Sequence, residues 1–128
     1  MTVRGSGVRG FAKGKAYVID EEHPFEEAPA GVILVAKDLS LEDSARIDFS
    51  KVVGIVTEAD DGNGHVRVLA TGVGVPAIVG VKGCLKEIVS GDRIIIQNLD
   101  VLVNPNLDSV NKYESLRSSS DSQLSLDL

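Results

Sequence analysis

The sequence predicts a mixed α/β domain with a central β layer and short flanking helices. Three short runs of consecutive apolar residues are typical of buried strands, and a helix-capping pattern follows the first of them. Thirteen glycines indicate frequent turns between short elements. At 128 residues, of which 43% are hydrophobic, the chain has the size and apolar content of one domain. Because aromatic residues make up only 4%, we expect an aliphatic core.

The first part of the chain is predicted to contain two strands joined by an acidic linker. Residues 1–14 carry four glycines, which favour a loop with short extended pieces. Lys15–Ile19 is rich in β-forming residues and predicts a strand. Two prolines among acidic residues make Asp20–Ala30 a linker, and the apolar run Gly31–Ala36 is typical of a buried strand.

A short helix is predicted after this strand, because Ser40 and Asp43 have the spacing of a capping box. It would run through Ile47, with Leu41, Ala45 and Ile47 facing the core. Beyond it, the apolar runs predict two buried strands, a helical turn and a hairpin that turns around residues 98–100. These elements are, in order, Val52–Val56, Pro76–Val81, Leu85–Val89, Arg93–Ile96 and Val101–Val103.

The centre of the chain allows two interpretations. The turn pairs Asp61-Gly62 and Asn63-Gly64, followed by alternation in residues 65–68, favour a β-hairpin. The alternative is a short helix over residues 65–71, capped at its start by Asn63 or Gly64 and ended by Gly72. Propensity does not separate the two, because β-branched residues weaken a helix.

The C-terminal segment differs in composition from the rest. After Pro105 the chain becomes polar, and Tyr113–Leu128 holds six serines without a clear period. Such a segment is expected to be mobile or to dock elsewhere. We therefore predict a domain over residues 1–112 and a Ser-rich tail over 113–128.

Charge and composition exclude several classes of function. Thirteen basic and 19 acidic residues leave a net charge of −6, which disfavours binding to nucleic acid. No apolar run is long enough to cross a bilayer, and the N-terminus lacks the apolar region of a secretory signal. We therefore expect a cytoplasmic protein without a membrane partner. The single cysteine, Cys84, excludes an internal disulfide and is expected to be a small buried hydrophobe.

Two other sets of side chains contain groups that could form a site. Asp60, Asp61 and His65 carry ligand atoms within six residues, but acidic turns are usually solvated, so we expect no metal. His23 lies in the acidic linker and is expected to be an exposed loop residue. The glycines around residues 72–80 lack the lysine pattern of a phosphate-binding loop. The sequence therefore predicts no cofactor.

Several ordered blocks match one known pattern: GVILVAKDL (31–39), GIVTEA (54–59), His65, Ala70 and VPAIVG (75–80). This run resembles the phosphohistidine swivelling domain of phosphoenolpyruvate-utilising enzymes, which include enzyme I, pyruvate phosphate dikinase and phosphoenolpyruvate synthase. Further blocks extend the resemblance over most of residues 10–105, namely GFAKGKAYVID (10–20), SGDRIII (90–96) and VNP (103–105). The resemblance implies the swivelling β/β/α fold, with His65 as the phosphoryl acceptor.

Around His65 the chain departs from the family pattern. Asp60-Asp61 stands where the family has two glycines, and Asn63-Gly64 replaces Thr-Ser. Thr71 stands in place of an arginine, and Arg67 replaces a small residue. The histidine is thus retained while the residues that usually accompany it are replaced.

A phosphoryl carrier needs a neutral imidazole nitrogen, exposed for in-line approach of donor and acceptor. The start of a helix stabilises the resulting phosphate through the dipole and backbone N–H groups. The candidate phosphate-stabilising residues are Asn63, Gly64, Arg67 and Thr71. The carboxylates of Asp60 and Asp61 would act in the opposite direction, by about 1 kcal/mol each in water.

The resemblance covers the swivelling domain alone, which implies a separate phosphoenolpyruvate- or nucleotide-binding catalytic subunit as partner. Our leading hypothesis is a free-standing phosphotransferase component that accepts a phosphoryl group on His65 and passes it on. The alternative is a catalytically silent homologue that acts as an interaction or regulatory module, because the usual companions of the histidine are lost. Exposed strand edges or the leucines near residue 126 could also support a homo-oligomer.

Overall fold

The computed structural model describes residues 2–60 and 64–126, with side chains up to Leu116. Within these ranges the chain forms eight strands, four α-helices and one 3₁₀ turn, Phe25–Glu27. The strands are β1 Thr2–Arg4, β2 Ser6–Val8, β3 Gly10–Val18, β4 Val32–Ala36, β5 Val52–Thr57, β6 Ala77–Val79, β7 Arg93–Asn98 and β8 Asp100–Val103. The helices are α1 Leu41–Ala45, α2 His65–Val73, α3 Cys84–Glu87 and α4 Leu107–Leu126. The mixed α/β class is confirmed.

All eight strands belong to one sheet, in the order β1-β8-β7-β3-β4-β5-β6-β2. Strands β3 to β6 run parallel to one another, and the remaining neighbours are antiparallel. The outermost strands, β1 and β2, are separated in sequence only by Gly5. The two edges of the sheet therefore meet at Gly5, where its N–H donates to the Leu99 carbonyl at 3.2 Å. The sheet closes on itself.

Closure gives the sheet an inner and an outer face, and each face buries its own set of side chains. The inner core is aliphatic and also receives Cys84 and Ile88 from α3 and the residue after it. On the outer face, α1, α2 and the 3₁₀ turn cover β4 to β6, and α4 covers β7 and β8. Strand β4 is buried along its whole length because both of its faces are covered.

The strands predicted from apolar runs are confirmed, with shifts of a few residues at their ends. The strand predicted at Lys15–Ile19 begins earlier, at Gly10, because that stretch pairs with β7 from Gly10↔Asn98 onwards. The hairpin of β7 and β8 turns at Asn98, whose φ of 60° is left-handed. The predicted linker packs against the outer core through Phe25 and Ala28, so it is not a loose connection.

The capping box of α1 is present: the Asp43 N–H donates to Ser40 Oγ at 3.0 Å, and the Ser40 N–H donates to Asp43 Oδ2. The predicted inward face of this helix is confirmed for Ile47 and wrong for Leu41 and Ala45. Leu41 is 75% exposed and Ala45 is also exposed, while Ser44 and Ile47 are buried. The helix ends at Ala45, so Ile47 reaches the core from the loop that follows.

The ambiguous centre is a helix, and the hairpin alternative is wrong. Val66 and Ala70 lie one helical turn apart and pack into the outer core, whereas Val68 is 74% exposed. A hairpin would have placed both valines on one side. The helix ends at Gly74, with φ of 77° and its N–H donating to the Ala70 carbonyl, and not at Gly72.

The C-terminal segment forms the helix α4, which runs across the predicted boundary between residues 112 and 113. Tyr113 is 1% exposed and packs against Phe11, Ile95 and Leu102. The division into a domain and a mobile tail stays a prediction. Among the described residues, no helix combines the length and apolar character that a membrane span requires.

Candidate functional site

His65 is the first residue of α2, at the carboxyl end of the parallel strands. The chain leaves β5 at Thr57 and enters the helix after Gly64, whose left-handed backbone has φ of 71°. Ligand sites of parallel sheets lie characteristically at this edge. The local sequence folds this way because Val66 and Ala70 anchor one helix face in the core, which leaves His65 half-buried at the start.

The His65 ring is held by a main-chain group. Its Nε2 lies 2.6 Å from the carbonyl oxygen of Leu39, in the loop between β4 and α1. A carbonyl oxygen only accepts hydrogen bonds, so Nε2 is the donor and carries the hydrogen. In the neutral ring the lone pair then resides on Nδ1.

The Leu39 carbonyl is itself fixed in place. The Leu39 side chain is buried in the outer core, and the next residue, Ser40, is the N-cap of α1. The Ser40 carbonyl accepts from both the N–H and the Oγ of Ser44. The predicted capping box therefore serves the site, because it positions the carbonyl that orients the imidazole.

Arg67 and Asp60 lie on the other side of α2. The Arg67 Nη2 donates to Ser6 Oγ at 3.2 Å and lies 4.0 Å from Asp60 Oδ1. The Arg67 guanidinium thus points towards β2, whereas His65 contacts the loop after β4, and β5 and β6 lie between these two strands in the sheet. Arg67 therefore offsets the charge of Asp60; for so exposed a pair the effect is at most about 1 kcal/mol.

Of two further residues predicted to stabilise the phosphate, one lies next to His65 and the other does not. Gly64 directly precedes the ring and caps the helix. Thr71 is exposed and lies six residues along α2, a rise of about 9 Å, which is too far for a threonine side chain. Asn63 and Asp61 lie outside the described residues.

Sequence reasoning missed two parts of the site. The contact with the Leu39 carbonyl could not be predicted, because every residue type has the same main-chain carbonyl. Thr57 could have been found within the matched block GIVTEA: it is buried, and its Oγ1 donates to the Ala59 carbonyl at 2.9 Å. This bond fixes the turn through which the chain leaves β5 towards His65.

Two exposed apolar side chains lie near the histidine. Leu41 begins α1, two residues after the carbonyl that holds the ring, and Val68 is three residues after His65 on α2. The two helices contact each other. Both side chains are mostly exposed, Leu41 at 75% and Val68 at 74%.

The other candidates have structural roles. Cys84 is buried, as predicted, and burial together with the Glu58 carboxylate raises its pKa to about 11, which makes it a poor nucleophile. The His23 Nδ1 lies 2.8 Å from Asp20 Oδ1, and its ring stands edge-on to Tyr17. The hydrogen bond from His23 lowers the pKa of Asp20. No group of three metal-ligating side chains occurs in the described ranges.

The chain is similar to known proteins over most of its length. The family model "PEP-utilising enzyme, mobile domain" matches residues 28–99. The chain is 27% identical, over 91% of its length, to the phosphoenolpyruvate-protein phosphotransferase of Staphylococcus carnosus, covering 21% of that protein. It is 34% identical, over 67% of its length, to the Staphylococcus aureus phosphotransferase, covering 15% of it. The chain thus spans about a fifth or less of the length of these curated relatives.

Solved structures agree on the fold. The solution structure of Enzyme I (nEIt) is similar with a TM-score of 0.69 and 26% identity, over 76% of this chain and 40% of that one. Aconitase X of Thermococcus kodakaraensis is similar with a TM-score of 0.59 and 18% identity, over 80% of this chain and 98% of that one. At that identity, the second likeness shows the fold alone.

Proposed function

The chain belongs to the mobile-domain family of PEP-utilising enzymes, and on that premise we propose that it carries a phosphoryl group on His65. The group would come from a catalytic partner that binds phosphoenolpyruvate or a nucleotide, and would pass to a second acceptor. One observation carries the proposal: the matched histidine stands at the first turn of α2, half-exposed at the carboxyl edge of the parallel strands. The cytoplasmic location is part of the same proposal.

The transfer requires a lone pair on the imidazole. A ring nitrogen attacks phosphorus, the N–P bond forms, and the P–O bond to the donor breaks with its electron pair on the leaving oxygen. The bond from Nε2 to Leu39 leaves that lone pair on Nδ1. Attack through Nε2 requires this hydrogen bond to break and the ring proton to move, so the Leu39 carbonyl would control the reactive state.

Charge around the site supports a phosphorylated ring only modestly. The start of α2 contributes about 0.3–1 kcal/mol of stabilisation to a nearby anion. Asp60 opposes it, but its side chain is 79% exposed and lies 4.0 Å from the Arg67 guanidinium. Solvent and Arg67 therefore reduce the repulsion that the sequence alone suggests.

The partner would contact the exposed apolar residues Leu41 and Val68, which lie near His65 on α1 and α2. The relatives named phosphoenolpyruvate-protein phosphotransferases support a protein as the acceptor of the group. Because these relatives are several times longer, the donor-binding unit would be supplied in them by other parts of the chain.

Labelling with phosphoenolpyruvate tests the proposal. The chain is incubated with ³²P-phosphoenolpyruvate and the catalytic part of the Staphylococcus carnosus phosphotransferase, and then assayed for acid-labile label. We expect label on the unmodified chain and on His23→Ala, the matched histidine control, and none on His65→Ala. Label that persists on His65→Ala, or unmodified protein that stays unlabelled with phosphoenolpyruvate and with ATP-dependent partners, refutes the proposal.

A silent interaction module is the second candidate, and one observation favours it. Thr71 stands six residues after His65, where the family pattern has an arginine. It lies about 9 Å along the helix, and its short side chain cannot contact a phosphate on the ring. This function predicts a partner whose affinity is unchanged by His65→Ala and lowered by Val68→Asp. It also predicts no acid-labile label under either donor.

A further inference from the structure

A cavity of about 430 Å³ opens on the outer face of the sheet, where β3 and β7 pass beside α4. Helix α4 covers β7 and β8 only partly, and the segment Asp20–Gly31 covers β4, so the middle of β3 lies between the two layers. The volume is within the range of sites that hold small organic molecules.

The cavity carries an unusual concentration of positive charge. Lys15 of β3 lies directly opposite Arg93 of β7 in the antiparallel register, so the two side chains share a face. Lys13, also on this face, lines the same cavity. Three adjacent cations are unusual in a chain whose net charge is −6.

Among the described residues, two of these cations lack a counter-charge. Within the described parts of the chain, neither Lys15 nor the Arg93 guanidinium forms a side-chain hydrogen bond or an ion pair. Like charges placed directly across a pair of strands are destabilising. The fold thus bears a repulsion that a bound anion would relieve.

The remaining walls are apolar. Ile95, Pro105 and Val110 line the cavity, and Ile95 and Val110 belong to the small core beneath α4. No carboxylate lines the cavity among the described residues. The Glu114 carboxylate binds Lys13 from the rim at 2.7 Å, but both groups are about half-exposed, so an anionic ligand can compete for Lys13.

We propose that this cavity binds a small organic anion, with its carboxylate or phosphate between Lys15 and Arg93 and its apolar body against Pro105 and Val110. Two opposed cations and the aliphatic side chains beside them match the two parts of such a ligand. A bare inorganic anion would leave the apolar part unfilled, and a neutral apolar molecule would leave the charges unpaired.

The cavity is distinct from the His65 site. Lys15 pairs with Val32 at the beginning of β4, whereas the carbonyl of Leu39 that holds His65 follows the end of β4. A five-residue strand spans about 16 Å, which separates the two sites along the sheet. Binding in the cavity therefore does not depend on phosphoryl transfer.

Fluorescence titration with 8-anilinonaphthalene-1-sulfonate, an apolar anion, tests the proposal on the full chain. We expect saturable binding at one site, weakened about fivefold or more in Lys15→Gln and in Arg93→Gln. Lys82→Gln, an exposed lysine elsewhere, and His65→Ala should bind as the unmodified chain does. Circular dichroism confirms that each variant is folded, because the dye also binds partly unfolded protein.

Displacement of the dye identifies the ligand class. Hexyl phosphate or hexanoate should displace it at concentrations about tenfold below those needed with hexanol or inorganic phosphate. The relative strength of the two anions shows which head group the cations prefer. The proposal is overturned by an absence of saturable binding, by equal affinity of Lys15→Gln, Arg93→Gln and Lys82→Gln, or by hexanol acting as well as the anions.

Discussion

The two histidines of the chain are hydrogen-bonded through different ring nitrogens. His65 donates from Nε2 to the Leu39 carbonyl, and His23 binds the Asp20 carboxylate through Nδ1. Carbonyl and carboxylate oxygens both accept, so the hydrogen of the neutral ring lies on opposite nitrogens in the two residues. The state of the proposed nucleophile is thereby set by a main-chain atom of another loop.

Nitrogen NMR checks this difference. We expect the neutral Nε2–H tautomer for His65 and the Nδ1–H tautomer for His23, in long-range ¹H–¹⁵N correlation spectra recorded at mildly alkaline pH. His23 serves as the internal control because both rings are measured in one sample. A predominant Nδ1–H tautomer at His65 would contradict the contact with Leu39.

Cys84 makes the stability of the fold depend on pH. Its pKa is about 11 in the fold, raised first by burial and then by Glu58, against 9.0 in an ordinary thiol. Below pH 9 the thiol is neutral in both folded and unfolded chains, so its stabilising effect is fully present. Between pH 9 and about 11 only the unfolded chain ionises, and roughly 1–2 kcal/mol of stability should be lost.

Urea unfolding of the unmodified chain and of Cys84→Ala, at pH 8 and pH 11, measures this loss. The difference between the two proteins cancels the titration of tyrosines and lysines. We expect the gap in unfolding free energy to shrink as the pH rises, because only the unmodified chain contains the buried thiol. A constant gap would show that Cys84 ionises normally.

At the scale of elements, short sequence patterns predicted those structural features that depend only on neighbouring residues. The capping box at Ser40 and the left-handed turn at Asn98 are short-range features, and both patterns located their elements. The hairpin or helix at His65 could not be decided locally, because what decides it is the burial of Val66 and Ala70 beneath the outer face of the sheet. The α4 helix was missed because its serines give no apolar period.

Tyr113 tests how firmly α4 is attached. Its ring is buried, with the Phe11 ring centroid at 5.9 Å. Tyr113→Ala should lower the unfolding free energy by about 3 kcal/mol in a denaturant titration, as for other large buried rings. Leu107→Ala in the same helix, where the side chain is 73% exposed, should change it by less than about 0.5 kcal/mol. Equal, small effects would mean that the tail predicted from residue 113 is detached.

At the scale of the whole molecule, the closure of the sheet could not be predicted from the sequence. The segment of residues 1–14 was predicted as a loop with short extended pieces, because glycines interrupt it. Its first two strands are only three residues long, and the third begins at Gly10. Its extended conformation depends on partners about 70 and 100 residues away, because β2 pairs with β6 and β1 with β8. The candidate site was predictable only through the matched blocks, which located His65 but not its orientation.

Gly5 is the residue on which closure depends. A Cβ at this position would lie 2.4 Å from the Val79 carbonyl oxygen, a backbone atom that cannot move aside. Gly5→Ala should lower the unfolding free energy by more than about 2 kcal/mol in thermal or urea unfolding. Gly72→Ala, where nothing lies within 4 Å, should raise it by about 0.5 kcal/mol. A neutral Gly5→Ala would show that the edges tolerate separation.

The pairing of β1 with β8 has a consequence for how the protein is made. Thr2 leaves the ribosome well before its partner, Leu102, which is synthesised a hundred residues later. The first strand must wait unpaired until nearly the whole domain has emerged. Such long-range contacts slow folding, so we expect the pairing of β1 with β8 to form late in the assembly of the sheet.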